Sequence, residues 1–392
     1  MIYAIQCKLL PTVEDVFKFE HILYGCRRLY NYMLEKRINH YSWYKESFSK
    51  SEQENMLPFL KRTEEFSFLK DIPAHPLQDA IKRLDEAYKK FFRKEAGFPR
   101  FKSKYKYTSF TYKQTYEKMF IDKNTIYLPK IGNIKYCCHI EFDPKNVKTI
   151  NIKKLKNGLW MMNITIDTAT KEEKAEIKQL KKAKKYDEFI FNKNVDYLSK
   201  LKTPKIVAID LGLIHYIATS EGETEEAPKF LRHSEKKLRM VQKAYSRKVK
   251  GSKNQRKAKS KLTKLHYKIA CQRKDFLHKL SFRVVKQNDL IIVEDLSIKN
   301  MVKNHKLAKS ISDAGWGMFK RYLKYKAEKY NKVYEEVNPK GTSQTCICGA
   351  IVSKTLKERV HKCPVCGVVE DRDIMSAKVI KSRSEYIKYL VA

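Results

Sequence analysis

A chain of 392 residues with 42% hydrophobic content is long enough for two or three cored domains and too apolar to be disordered throughout. Its formal charge of +39 is spread along most of its length, and such self-repulsion calls for a polyanion, with nucleic acid the leading partner. No run approaches the roughly 20 apolar residues of a membrane span, and no single basic amphipathic helix gathers the charge for a membrane surface.

Residues 2–10 alternate loosely and predict a first strand. Pro11-Thr12 punctuates it, and Thr12 with Asp15 has the spacing of a capping box. Val16, Phe19, Leu23, Cys26, Tyr30 and Met33 then recur at helical spacing, with Arg27 and Arg28 beside them as phosphate-contact candidates. After Pro73 and Pro76, the steps Leu77, Ile81, Leu84, Tyr88 and Phe91 predict a second helix face. Gly97-Phe98-Pro99-Arg100-Phe101-Lys102 ends the helical period, and Arg100 and Lys102 join the candidate cations. From Thr108 to Ile166 short β-like runs follow, and Asn157-Gly158 marks a hairpin between 150–155 and 159–166. These runs suggest a small barrel to which the first strand returns. Residues 171–203 are lysine-rich and read as a basic linker with room for a short helix.

Beyond Pro204, Ile206-Val207-Ala208-Ile209-Asp210-Leu211-Gly212 reads as a buried strand carrying a carboxylate. Leu290-Ile291-Ile292-Val293-Glu294-Asp295-Leu296 repeats that grammar, and Asp371-Arg372-Asp373 opens the last apolar segment. A buried carboxylate demands a cation, a metal or strong donors. Asp210, Glu294 and one acid of the third cluster are therefore expected to meet around divalent metals, although Asp371 or Asp373 could instead cap a helix. Adjacent strand residues face opposite ways, so only one of Glu294 and Asp295 should point at the metal. Between the first two strands lies a basic helical stretch from about Glu235 to Leu280, broken near 251–254, where Lys248, Lys250 and Arg256 are further phosphate-contact candidates.

Nine cysteines without a secretion pattern suit a reducing compartment. Four are bunched: Cys346-Ile347-Cys348-Gly349 and Cys363-Pro364-Val365-Cys366-Gly367. Thiolates so spaced can wrap one structural Zn²⁺, with glycine turning the chain around it. The first pair has one intervening residue instead of two, and His361 is an alternative ligand.

Taken in order, these segments resemble the TnpB family of transposon-encoded proteins, relatives of the compact type V CRISPR effectors. Leu10-Pro11-Thr12, Arg27-Arg28-Leu29-Tyr30-Asn31, Gly97–Lys102, Asp210-Leu211-Gly212, Val293-Glu294-Asp295-Leu296, Ser312–Gly317 and Thr342-Ser343-Gln344-Thr345-Cys346 carry the likeness. The resemblance implies an α/β multi-domain chain: a helical lobe (13–100) inserted in a small β-barrel (1–12 and 101–170), then the linker (171–203). A ribonuclease H-like RuvC domain (204–392) with a zinc-ribbon insertion (340–368) would follow.

It further implies a metal-dependent, RNA-guided DNA endonuclease with a two-metal Mg²⁺ site on Asp210, Glu294 and Asp373. Structural zinc would sit on Cys346, Cys348, Cys363 and Cys366. The expected partners are a guide RNA from the transposon end and double-stranded target DNA beside a short transposon-associated motif, in the prokaryotic cytoplasm or nucleoid. Two alternatives remain, a guided repressor that does not cut and a strand-transfer transposase. The chain departs from the family pattern at Met375, where asparagine is usual, and at Ser376, where alanine is.

Overall fold

The computed structural model describes residues 2–113, 117–355 and 358–391 and divides into two compact units, Met1–Ala169 and Thr170–Ala392. In the first, β1 (Ile2–Leu10) buries Ile5, Cys7 and Leu9 in alternation with exposed residues, as a period of two requires. Four helices follow it in sequence: α1 (Val13–Tyr44), α2 (Lys50–Asn55), α3 (Leu57–Leu60) and α4 (Ala74–Phe92). Six strands come next: β2 (Ser109–Tyr112), β3 (Phe120–Asp122), β4 (Thr125–Leu128), β5 (Gly132–Cys137), β6 (Val147–Lys154) and β7 (Trp160–Asp167). The seven strands form one antiparallel sheet in the order β2-β6-β7-β1-β5-β4-β3, so the first strand pairs between two late ones.

The capping box at Thr12 and Asp15 opens α1, with both reciprocal hydrogen bonds present. Its face Phe19, Leu23, Cys26, Tyr30 and Met33 is buried, and the Phe19 ring lies 4.8 Å from that of Trp160 on β7. Leu77, Ile81 and Leu84 of α4 complete the same core. Gly158, at φ +88°, turns the β6–β7 hairpin at the Asn-Gly pair.

The second unit begins with a departure from the sequence reading. Residues 171–203 form two helices, α5 (Lys171–Lys182) and α6 (Tyr186–Ser199). The first has no buried residue, which explains its linker-like composition, whereas α6 inserts Leu198 into a core. A five-stranded sheet follows in the order β10-β9-β8-β11-β12. Its members are β8 (Ile206–Leu211), β9 (His215–Thr219), β10 (Thr224–Glu226), β11 (Leu290–Glu294) and β12 (Val333–Val337). β8, β11 and β12 run parallel, and β9 and β10 antiparallel.

The basic helical stretch is a hairpin of α7 (Phe230–Ser246) and α8 (Lys253–Gln287), turning through 247–252. After β11 come α9 (Ile298–Met301), α10 (His305–Ala314) and α11 (Trp316–Lys329). The chain ends with β13 (Val360–Lys362), β14 (Val369–Asp371), α12 (Arg372–Ser382) and α13 (Glu385–Val391).

Helices cover both faces of this sheet, as parallel strands require. Val207, Ile209, Ile291 and Val293 meet α8 and α11 through Leu277, Leu280, Phe319 and Leu323. Ala208, Leu290, Ile292 and Val333 face the other way, against Leu198 of α6, Ile380 of α12 and Tyr386 of α13. The continuous apolar runs in the sequence are strands buried on both sides.

Candidate active site and cysteine cluster

The two-residue period of the strands now locates the acids. Asp210 follows Ala208 by two, and Glu294 follows Ile292 by two, so both carboxylates belong to the face covered by α12. The pairing Ile209↔Val293 sets Asp210 level with Glu294 on the neighbouring strand. At the start of α12, Asp371 is the cap, accepting from the backbone N–H of Asp373 at 2.8 Å and of Ile374 at 3.2 Å. Capping by Asp371 leaves the Asp373 side chain, only 6% exposed, for the site.

Each acid has its own surroundings. Burial pushes the Asp210 carboxyl up to about 8, reinforced by the charges of Glu294 and Asp373. Burial also raises Glu294, 6% exposed, while the Thr342 hydroxyl donates to its Oε1 and partly offsets that rise. Asp373 Oδ1 accepts from Arg372 Nε at 3.2 Å and Nη2 at 3.1 Å, and Arg359 Nη1 lies 3.6 Å from Oδ2. Asp295 points the other way, to Lys320 of α11 at 3.1 Å, and so takes no part.

Three hard-oxygen donors on one face, one of them holding its proton to about pH 8, fit a demand for divalent cations. Among the described residues they are not drawn as close as the cysteines, whose ligand atoms all lie within 4.8 Å of one another. Unscreened carboxylates repel, and Glu294 and Asp373 each have a partner of their own, Thr342 for the first and Arg372 and Arg359 for the second.

Cys346 and Cys366 Sγ are 3.6 Å apart, and Cys348 and Cys363 Sγ 3.7 Å. A tetrahedron with Zn–S bonds of about 2.3 Å has S···S edges of about 3.8 Å, so the quartet fits zinc. The shortened first pair is absorbed by a tighter turn. Gly349 N bonds to Cys346 O, three residues back, whereas Gly367 N bonds to Cys363 O, four back, and both glycines have positive φ. Backbone N–H groups of Cys366 and Val365 aimed at Cys363 pull its thiol down to about 6. His361 is fully buried, its Nδ1 bonded to Lys354 Nζ, and stands outside the quartet. Met375, 1% exposed, packs with Val379 beneath Cys346 and Cys363. Ser376 Oγ donates to Arg372 O at 3.0 Å.

Of the candidate phosphate contacts, Lys248, Lys250 and Arg256 are exposed at the α7–α8 turn, and Arg100 is exposed in the loop before β2. Arg28 pairs with Glu65 at 2.9 Å, and Arg27 lies 5.5 Å from the Tyr24 ring centroid. The Lys102 backbone donates to Asn31 Oδ1 and accepts from Asn31 Nδ2, and its Nζ lies 5.3 Å from the Tyr30 ring centroid. Sequence reasoning gave no role to Thr342, Arg359 or Arg372. Thr342 and Arg372 stood within segments it singled out, but nothing in their spacing shows what they touch.

Residues 190–305 match a family described as "Probable transposase", and residues 316–380 match the "Cas12f1-like, TNB domain". A Streptomyces pristinaespiralis protein named "Putative RNA-guided DNA endonuclease" is 30% identical over 391 residues, covering 96% of this chain and 88% of the relative. An Escherichia coli K12 protein, "Putative RNA-guided DNA endonuclease InsQ", is 28% identical, covering 96% and 91%. In fold, the chain is similar to the protein of a Cas12f1–sgRNA–target DNA complex, with TM-score 0.53 and 15% identity over 94% of this chain and 82% of that one. It is also similar to the mini-RNA-guided endonuclease CRISPR-Cas_phi3, with TM-score 0.51 and 10% identity over 100% and 92%.

Proposed function

Since this chain belongs to the TnpB family, we propose that it is an RNA-guided DNA endonuclease of a transposable element that cuts with the Asp210–Glu294–Asp373 site. The convergence of three acids on one face, which lifts Asp210 to about 8, is the observation that carries this reading. The three carboxylates would hold two Mg²⁺, which supply activation of the attacking water and stabilisation of the leaving oxygen.

The chain's own residues prepare that site. Thr342 occupies one oxygen of Glu294, leaving the other for a ligand. Arg372 and Arg359 pair with the Asp373 carboxylate, which would be the third ligand. A bound cation would displace the proton that burial and the neighbouring carboxylates hold on Asp210. The cysteine quartet would hold a structural zinc with no open position.

Pairing between a guide RNA and the target strand would read sequence, with the protein sensing backbone and a short adjacent motif. The helices between β1 and β2 and the seven-stranded sheet are the parts proposed to hold RNA and read that motif. No helix among the described residues is long and apolar enough to cross a membrane.

The test is cleavage of a plasmid carrying the cognate target by the protein–RNA complex in Mg²⁺ or Mn²⁺. Cutting by the wild type and its loss, by at least a hundredfold, in Asp210→Asn, Glu294→Gln and Asp373→Asn are expected. Target binding without nicks at any metal concentration would instead identify a guided repressor. Met375 does not favour that second reading: it packs under the cysteines, and the charge of Asp373 is still felt by Asp210.

A further inference from the structure

We propose that Thr342 is a positioning residue through which the cysteine cluster sets the orientation of the Glu294 carboxylate, so that zinc loading and divalent-metal binding are coupled. The proposal rests on the metal-site reading above and deepens it.

Thr342 is 5% exposed and its Oγ1 donates to Glu294 Oε1, itself on a residue 6% exposed. A buried carboxylate so bonded loses one degree of rotation, and its second oxygen is left to face a ligand. The threonine sits in a single 3₁₀ turn, Thr342–Gln344, that starts at Gly341 with φ +77°.

Both ends of that turn are tied. On the sheet side, Asp295 N bonds to Val337 O at 2.9 Å, fixing the end of β12 beside Glu294. Arg383 Nη1, just past α12, donates to Asn338 O and Lys340 O, each at 2.8 Å. On the cysteine side a ladder runs without interruption. Thr345 Oγ1 donates to Gly341 O at 2.8 Å, Val352 N to Gln344 O at 2.7 Å, and Cys346 N to Ala350 O at 2.8 Å. Only three residues, 343–345, thus separate the threonine whose hydroxyl meets Glu294 from the first thiol of the quartet.

Displacing Cys346 therefore shifts the turn that carries Thr342. Binding linkage of this kind is reciprocal: whatever zinc would do for the carboxylate, the divalent cation would do for zinc.

The test measures Mn²⁺ binding to the RNA-bound protein by electron paramagnetic resonance of free Mn²⁺, without reference to cleavage. Thr342→Val, close in shape and lacking the hydroxyl, and Thr342→Ala are expected to weaken Mn²⁺ binding about tenfold, and Thr342→Ser to stay within about twofold. Cys348→Ser, which removes an exposed zinc ligand, is expected to weaken Mn²⁺ binding in the wild-type background and to add little in the Thr342→Val background. Unchanged Mn²⁺ affinity in both Thr342→Val and Thr342→Ala overturns the proposal. So does full additivity of Cys348→Ser with Thr342→Val. A wild type whose bound Mn²⁺ is indifferent to Asp210→Asn and Glu294→Gln would instead sink the metal-site reading, and the proposal with it.

Discussion

At the scale of the residue, Asp210 is where the geometry becomes chemistry. Its carboxyl titrates near 8 in the folded chain against an ordinary value of 3.8, because burial and two neighbouring carboxylates oppose its charge. Between those values the folded state binds a proton that the unfolded state has released. Stability from this group is therefore full below about pH 4. It declines by about 1.4 kcal/mol for each pH unit above that, and its loss is complete once pH has risen through 8. Asp210→Asn has no such proton to lose. In metal-free protein, the melting temperature of Asp210→Asn relative to wild type should climb between pH 5 and pH 9, and saturating Mg²⁺ should shrink that difference. A difference that stays flat across this range would mean that neither burial nor the two carboxylates raise Asp210.

At the scale of the element, the cysteine knuckles and α12 form one packed body through Met375. The side chain that departs from the family pattern fills the space beneath Cys346 and Cys363, beside Val379. Truncating it leaves a cavity, so Met375→Ala should cost about 2–4 kcal/mol and lower the zinc content of the purified protein. Met375→Leu, nearly equal in volume, should cost less than about 1.5 kcal/mol and keep the metal. Zinc assay and melting, taken together, check both.

What the sequence showed of these elements follows from the range of each signal. Alternation and helical spacing are local, so β1, the faces of α1 and α4 and the Asn157-Gly158 hairpin were readable from neighbouring residues. The letters Asp-Arg-Asp by themselves leave open which acid caps the helix; the family resemblance named Asp373 for the metal, and the geometry adds that Asp371 is the cap. The contact of Thr342 with Glu294 spans 48 residues and rests on the return of β12 beside β11, which no short window reveals. In 171–203 the sequence left room for one short helix but did not mark α5, because a solvated helix has no apolar stripe to betray it.

At the scale of the whole molecule, the charge of +39 is not uniform in what it can do. Side chains already engaged within the protein gain less from a phosphate than exposed ones do. Arg28 answers Glu65, and Arg27 and Lys102 lie over aromatic rings, whereas Lys248, Lys250 and Arg256 stand exposed at the tip of the α7–α8 hairpin. Each phosphate neutralised contributes about 0.9 to the slope of log affinity against log salt for duplex DNA and about 0.7 for a single strand. Neutralising the hairpin triple to glutamine should therefore flatten that slope by about 2–3, while Arg27→Gln, Arg28→Gln and Lys102→Gln together should change it by about 1 or less. Salt titrations of DNA binding by the RNA-loaded protein separate the two triples. Equal losses from both would show that the charge acts as a diffuse cloud, and a larger loss from the hairpin that it acts as a placed contact.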